Sequence, residues 1–194
     1  MRRIAYKRNL VSNTREKGLD GIRTKSQSPH LRSVPYPCNM IDAKVVGIAL
    51  AIGLVLLYAF GSGFFMDNSG WYQGLKKPSW QPPGAIFGLI WPYNFIMLGV
   101  SGVAVVRNGS GLQSVLFLVF LALSVTAAIT WSYFFYQPHN FFAASLSLVL
   151  ATLLTLPILI ITFQINTLLG LLLIPYQIWL TIATVLSFSY GRLN

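Results

Sequence analysis

The chain has 194 residues, of which 55% are hydrophobic and only 9% are charged, and this composition excludes a soluble globular domain, in which about a quarter of residues are charged. Residues 1–39 carry nine Lys or Arg residues and two acids, Glu16 and Asp20, and so supply +7 of the net charge of +10. The excess of positive charge therefore lies mainly in an N-terminal tail, and it does not indicate nucleic-acid binding. No Lys, Arg, Asp or Glu occurs from Asn108 to Gly191, a tract that predicts several membrane-spanning helices because one crossing takes about 20 apolar residues.

Residues 1–39 are polar and basic, without a sustained apolar period, and are predicted to be disordered. Three interpretations of this tail are open: a cytoplasmic extension that fixes orientation through its positive charge, a targeting segment, or sequence upstream of a true start at Met40. The third is favoured, because a hydrophobic helix follows Met40 almost at once. Cys38 is the only cysteine, which excludes an internal disulfide and a cysteine-based metal site.

Five apolar runs follow the tail and predict an all-α, multi-pass integral membrane protein, a five-transmembrane-helix bundle. The predicted spans cover residues 44–66, 84–106, 112–135, 140–163 and 168–190, within a membrane domain at residues 40–194. The loops after the second, third and fourth spans are short, so neighbouring helices are predicted to be antiparallel. An odd number of spans places the two ends of the chain on opposite sides of the membrane. The basic tail favours an N-terminus inside, but the sequence does not identify the membrane.

A loop rich in Trp and Pro, at residues 67–83, separates the first two spans. Pro78, Pro82 and Pro83 each fix φ and lack an N–H, so the stretch from Lys76 to Pro83 forms neither regular helix nor central strand. The Pro82-Pro83 pair comes directly before the second span, where a missing donor is tolerated. The loop is therefore predicted to have a defined shape and to lead straight into a helix.

The aromatic residues are predicted to gather at the end of the bundle that carries this loop. Four of the five Trp lie there: Trp71, Trp80, Trp91 and Trp131. One interpretation is an interfacial aromatic belt, although a belt occupies both interfaces. The other is an aromatic-walled cavity that opens at the loop end and takes up a large, flat, apolar ligand.

Two aromatic stripes at helical spacing favour the cavity, although plain helix packing would produce the same spacing. The stripe on the second span is Phe87, Trp91, Asn94 and Leu98, and that on the fifth is Tyr176, Trp179, Ala183, Ser187 and Tyr190.

The chain resembles the translocator protein family, also called tryptophan-rich sensory proteins, TspO/MBR proteins or peripheral benzodiazepine receptors. In the loop and second span the resemblance rests on Trp71-Tyr72, Leu75, Lys77-Pro78, Trp80, Pro82-Pro83, Phe87, Trp91 and Gly99. In the third and fifth spans it rests on Trp131-Ser132, Phe134-Phe135, Leu173, Pro175-Tyr176, Trp179, Ala183-Thr184 and Leu193-Asn194. It covers about residues 40–194.

This resemblance implies a homodimeric five-helix bundle with a ligand pocket beneath the first loop. The implied ligands are tetrapyrroles such as porphyrin or haem, sterols, and benzodiazepine-site drugs, with membrane lipid as the other partner, no nucleic acid, no metal site and no obligatory cofactor. The resemblance places eight residues in the pocket, with Trp91 as the first choice: Tyr72, Pro82, Phe87, Trp91, Phe95, Phe134, Trp179 and Ala183.

Three positions depart from the family pattern. Ala128 stands where the family commonly has Asn, Ser187 stands where it has Asn after Leu186, and Ser147 stands where an acidic residue is frequent. The missing Asn at 128 removes one polar contact to ligand. These departures bear on affinity for the usual drugs, and they do not bear on the fold.

Weaker patterns each have a plainer interpretation. Leu186, Tyr190 and Arg192 fit a loose cholesterol motif, but an interfacial Tyr with a snorkelling Arg is the simpler interpretation. His139 is able to ligate a haem iron, but a solvated loop histidine is the simpler interpretation. Small residues at Gly47 and Ala51, and at Ala143, Ser147 and Ala151, allow close helix packing within the bundle or across a dimer.

A conventional catalytic constellation is absent from the sequence, because Asp42 and Asp67 are the only acids after residue 39 and neither has a base or metal partner. The main hypothesis is a membrane receptor or carrier that binds tetrapyrroles. One alternative is a light-dependent porphyrin-degrading enzyme that uses Trp91, since indole is readily oxidised by an excited porphyrin. The other is a structural membrane subunit. An ion channel is disfavoured, because the last three spans carry no charge.

Overall fold

A computed structural model of the chain describes residues 38–66 and 70–194, with side chains from residue 43 onward. Most of the predicted tail, residues 1–37, and the predicted helix break at residues 67–69 lie outside the described residues. The described helices are α1 Cys38–Phe64, α2 Trp71–Gly74, α3 Gly84–Asn108, α4 Gly111–Tyr136, α5 Phe141–Ile165 and α6 Thr167–Leu193. The prediction of an all-α membrane bundle with five spanning helices is confirmed.

The five long helices are apolar enough and long enough to cross a membrane. Each has 25 to 27 residues, or about 37–40 Å at the rise of an α-helix, against a hydrocarbon core of about 30 Å. α1 starts at Cys38 rather than at the predicted residue 44, so it takes in the last two residues of the predicted tail.

Side-chain caps define where three of these helices begin. Ser110 and Gln113 form a reciprocal capping box at the start of α4. Asn140 accepts from the N–H of Ala143 at the start of α5, and Asn166 accepts from that of Leu169 at the start of α6. Each cap satisfies a helix N–H that has no partner in its own helix. The caps therefore stabilise the points at which the chain, after a short connection, starts the next helix across the membrane.

The Trp/Pro-rich loop contains one helical turn, α2, that the sequence analysis did not predict. Gly70 precedes it with φ +84°, a left-handed conformation that glycine adopts without strain. The turn ends before Pro78, and the chain from Leu75 to Pro83 has no helix or strand. The prolines therefore exclude helix from the second half of the loop, as predicted. The first half contains no proline and is able to form the helical turn.

The long helices pack as a closed ring in the order α1, α3, α6, α5, α4 and back to α1, with α3 also touching α4 and α5. At the end away from the loop, small residues bring α1 and α3 close together. A Cβ built on Gly102 would lie 2.9 Å from Ala51 Cβ and 3.2 Å from Phe117 Cε1, and one on Gly47 would lie 2.9 Å from Val106 Cγ1. The small pair Gly47 and Ala51 therefore packs within the bundle.

Polar contacts identify the two ends of the ring. Lys44 Nζ donates to the carbonyl of Arg107 at 2.8 Å, joining α1 to α3 at the end away from the loop. At the other end, the ring of Trp71 stacks on that of His139 with centroids 3.8 Å apart, and the N–H of Lys76 donates to Asn194 Oδ1 at 2.9 Å. The loop, the turn before α5 and the end of α6 thus share one side, as the antiparallel arrangement predicts.

Candidate functional site

A cavity of about 880 Å³ lies between the loop and the loop end of the helix ring. Each of the five long helices contributes to its wall: Ser62 from α1, Trp91 from α3, Ala128 from α4, Leu148 from α5 and Trp179 from α6. The loop adds Tyr72, Gln73, Lys77 and Gln81. The cavity is therefore at the position where the clustering of Trp residues predicts one.

Aromatic rings in mutual contact form the membrane-embedded part of this wall. The ring of Trp91 is stacked on Phe95 at 5.6 Å and 24°, and it meets Trp179 edge-on at 6.4 Å and 89°. Tyr58 approaches both Trp91 and Phe95 edge-on, at 5.9 and 5.1 Å. Phe87 completes the group with an edge contact to Trp179 at 5.0 Å. Offset and edge-to-face rings hold one another in fixed orientations, so the wall presents ordered aromatic surface.

Six of the eight predicted pocket residues line this cavity: Tyr72, Phe87, Trp91, Phe95, Trp179 and Ala183. Their role in ligand binding remains a prediction. The structure brings them together because one turn of α3 separates each of Phe87, Trp91 and Phe95 from the next, and one turn of α6 separates Trp179 from Ala183.

Pro82 and Phe134 do not line the cavity, and in both cases an adjacent residue does. On α4 the lining residue is Phe135, which is 2% exposed, whereas Phe134 is half-buried and packs against the ring of Tyr133. A helix turns by about 100° per residue, so neighbouring positions face different directions. In the stretch before α3, which is neither helix nor strand, Gln81 lines the cavity and Pro82, next along the chain, does not.

The sequence analysis placed no residue of α1 in the site, yet Tyr58, Ala59 and Ser62 line it. Tyr58 is the only Tyr in a helix that is mostly aliphatic, and this is a signal that could have found this side of the cavity. Trp131, which was assigned to the aromatic end but to no ligand role, also lines it.

A chain of hydrogen bonds joins the loop to α6 above the aromatic wall. The hydroxyl of Tyr190 donates to Gln81 Oε1, and the hydroxyls of Tyr72 and Tyr190 lie 2.9 Å apart. Because the Tyr190 proton is directed to Gln81, Tyr72 is the donor to Tyr190. The loop thus closes over the cavity through side chains that themselves line it.

A second polar group lies where α4, α5 and α6 meet. Trp131 Nε1 donates to Ser187 Oγ at 3.3 Å, and Ser145 Oγ hydrogen-bonds to the same oxygen at 2.9 Å. In contrast, Trp179 Nε1 and the side-chain amide of Asn94 are buried and have no hydrogen-bond partner among the described residues. The helices around the cavity therefore hold both satisfied and unsatisfied polar groups in an apolar interior.

Two of the three departures from the family pattern fall on the cavity. Ala128 and Ser187 line it. Ser147 does not, and its hydroxyl donates to the carbonyl of Ala143 in its own helix at 2.9 Å. Ala128 leaves an apolar surface at that point of the wall.

The structure separates the cholesterol-motif residues and keeps His139 outside the cavity. Leu186 and Tyr190 are buried and line the cavity, while Arg192 is exposed, so the three do not form one lipid-facing surface. His139 is exposed, has φ 56° and does not line the cavity. Its ring packs against Trp71, which fixes the turn before α5 against the loop.

The chain is similar to several known proteins. The family model described as the TspO/MBR family matches residues 48–193. A protein named Protein CrtK, from Rhodobacter capsulatus, is 33% identical over 139 residues, covering 70% of this chain and 86% of that protein. A tryptophan-rich protein TspO from Bacillus cereus is 32% identical over 138 residues, covering 71% of this chain and 90% of that protein. The human translocator protein is 26% identical over 151 residues, covering 74% and 89%.

Proposed function

Because the chain belongs to the TspO/MBR family, a family of membrane proteins, we propose that it is a membrane receptor or carrier that binds tetrapyrroles such as porphyrin or haem. The proposed site is the cavity beneath the first loop. The observation that supports this most strongly is the wall of Trp91, Phe95 and Trp179, whose rings are in mutual contact along one side of the cavity.

The size and lining of the cavity suit a flat, largely apolar molecule. Its volume of about 880 Å³ falls within the range of about 300–1,000 Å³ typical of small-molecule sites. The rings of Trp91 and Phe95 lie nearly parallel, at 24°, and a planar macrocycle stacks on such a surface with favourable offset contacts. The same surface suits sterol-like ligands and benzodiazepine-site drugs, which the proposal includes as secondary ligands.

Tryptophan fluorescence tests the site directly. Purified protein in non-ionic detergent, titrated with protoporphyrin IX, is expected to show saturable quenching, with the dissociation constant taken also from the porphyrin absorbance shift. Trp91→Phe should raise that constant about fivefold, because losing part of a stacking surface costs about 1 kcal/mol. Trp80→Phe is the matched control, since Trp80 is 47% exposed and does not line the cavity. Equal constants for wild type and Trp91→Phe would refute the site, and unsaturable quenching would refute the function.

The two alternative hypotheses are distinguishable with the same samples. Under illumination in air, a porphyrin-degrading enzyme would remove the Soret band faster than an unrelated membrane protein does, and Trp91→Phe would slow the loss. A structural membrane subunit would show neither saturable binding nor accelerated bleaching.

A further inference from the structure

Among the described residues that line the cavity, all the charged and amide side chains lie in the loop. The loop side contributes Gln73, Lys77 and Gln81, together with the linked hydroxyls of Tyr72 and Tyr190. The membrane-embedded side contributes the aromatic wall. A ligand that matches this cavity therefore has an apolar body and a polar group at one edge.

Among the described residues that line the cavity, Lys77 is the only cation. Its Nζ lies 3.4 Å from Gln73 Oε1 and 5.3 Å from the centre of the Tyr72 ring. An ammonium carries three donors, so this single long hydrogen bond leaves donors for a ligand. Residues 43–66 and 70–194, whose side chains the structure describes, include no Asp or Glu, so no side-chain carboxylate within those ranges competes for the ammonium.

We propose that Lys77 binds a carboxylate of the ligand, and that the cavity consequently selects flat molecules carrying an acidic group at one edge over neutral molecules of the same shape. The inference rests on the proposed function and specifies its ligand class. An ammonium–carboxylate contact is a charge-assisted hydrogen bond, stronger than a neutral one. Lys77 is exposed, and for a contact at an exposed rim we expect a change in affinity of about fivefold at most.

The neighbouring lysine provides a matched control. Lys76 is exposed and does not line the cavity. Its backbone N–H and carbonyl are both bonded to the side chain of Asn194, at 2.9 and 3.2 Å. The two lysines thus carry the same charge, on adjacent residues of one loop, and only one reaches the site.

The test compares protoporphyrin IX, which carries two carboxylates, with its neutral dimethyl ester. Dissociation constants are measured in non-ionic detergent for wild type, Lys77→Gln, Lys77→Arg and Lys76→Gln. Lys77→Gln is expected to weaken binding of the acid by up to about fivefold and to leave the ester unchanged, whereas Lys77→Arg and Lys76→Gln should leave both unchanged. Comparing each ligand across proteins cancels its partition into micelles. Raising ionic strength should weaken acid binding to wild type and have little effect on Lys77→Gln, because exposed charges are screened.

Each outcome separates the inference from the function on which it rests. Saturable binding of both ligands with no selective effect of Lys77→Gln on the acid would overturn the carboxylate role and leave the binding function in place. An equal loss with Lys76→Gln would also overturn it, because loop charge in general would then explain the preference. Failure of both ligands to bind wild type would overturn the proposed function itself.

Discussion

The hydroxyl of Ser187 is the point at which α4, α5 and α6 exchange hydrogen bonds within the apolar interior. It is 2% exposed, accepts from Trp131 Nε1 and bonds to Ser145 Oγ. We expect Ser187→Ala to destabilise the bundle by about 1 kcal/mol, near the middle of the range measured for hydrogen bonds between membrane helices, because the indole N–H loses its acceptor. That loss corresponds to a melting temperature lower by about 2–4 °C in detergent. Ser189→Ala is the control, since its hydroxyl bonds only within α6, to the carbonyl of Val185. An unchanged melting temperature for Ser187→Ala would contradict the prediction.

At the scale of elements, the side chain of Asn194, at the end of α6, holds the backbone of the loop between α1 and α3 at Lys76. Asn194 accepts from the N–H of Lys76 and donates to its carbonyl and to that of Tyr190. Removing two loop contacts of about 1 kcal/mol each should raise the population of the opened loop more than tenfold. We therefore expect Asn194→Ala to speed limited trypsin cleavage between Lys76 and Lys77, measured by mass spectrometry of the fragments.

The following bond, Lys77–Pro78, resists trypsin because proline occupies the position after the lysine, so the measurement reports one site. Asn108→Ala, an exposed asparagine at the end of α3, controls for a general effect of losing an amide. Equal cleavage rates in wild type and Asn194→Ala would show that other contacts hold the loop.

At the scale of the whole molecule, every long helix contributes to the cavity wall, so a ligand bound there stabilises the entire bundle and not one element. A ligand that binds only the folded state adds about 2.7 kcal/mol at a hundredfold excess over its dissociation constant. We expect the melting temperature to rise by about 5–10 °C with protoporphyrin IX at that excess. When melting temperature is plotted against porphyrin concentration, the rise for Trp91→Phe should occur at higher concentration than for wild type. A melting temperature that does not respond to porphyrin would contradict binding within the bundle.

The spans and the aromatic end could be predicted from the sequence because their signals are strong. The tract from Asn108 to Gly191 carries no charge, and the prolines at 78, 82 and 83 exclude helix from that part of the loop. The inward faces of the helices were harder to predict. Phe134, which the family resemblance placed in the pocket, does not line the cavity, whereas Phe135 does. Helices that are apolar all round carry no polar face to set their rotation, so periodicity could not correct that placement. Tyr58 was missed for the same reason, because periodicity in α1 does not separate its inner face from its lipid face.

The close approach of α1 and α3 makes the two ends of this helix pair unequal. Where Ala51 meets Gly102, the two backbones are packed too tightly to admit another methyl group without displacement, whereas at the loop end the same helices border an open volume. Because closely packed interiors resist displacement, we expect any separation of α1 from α3 to be larger at the loop end than at Ala51 and Gly102.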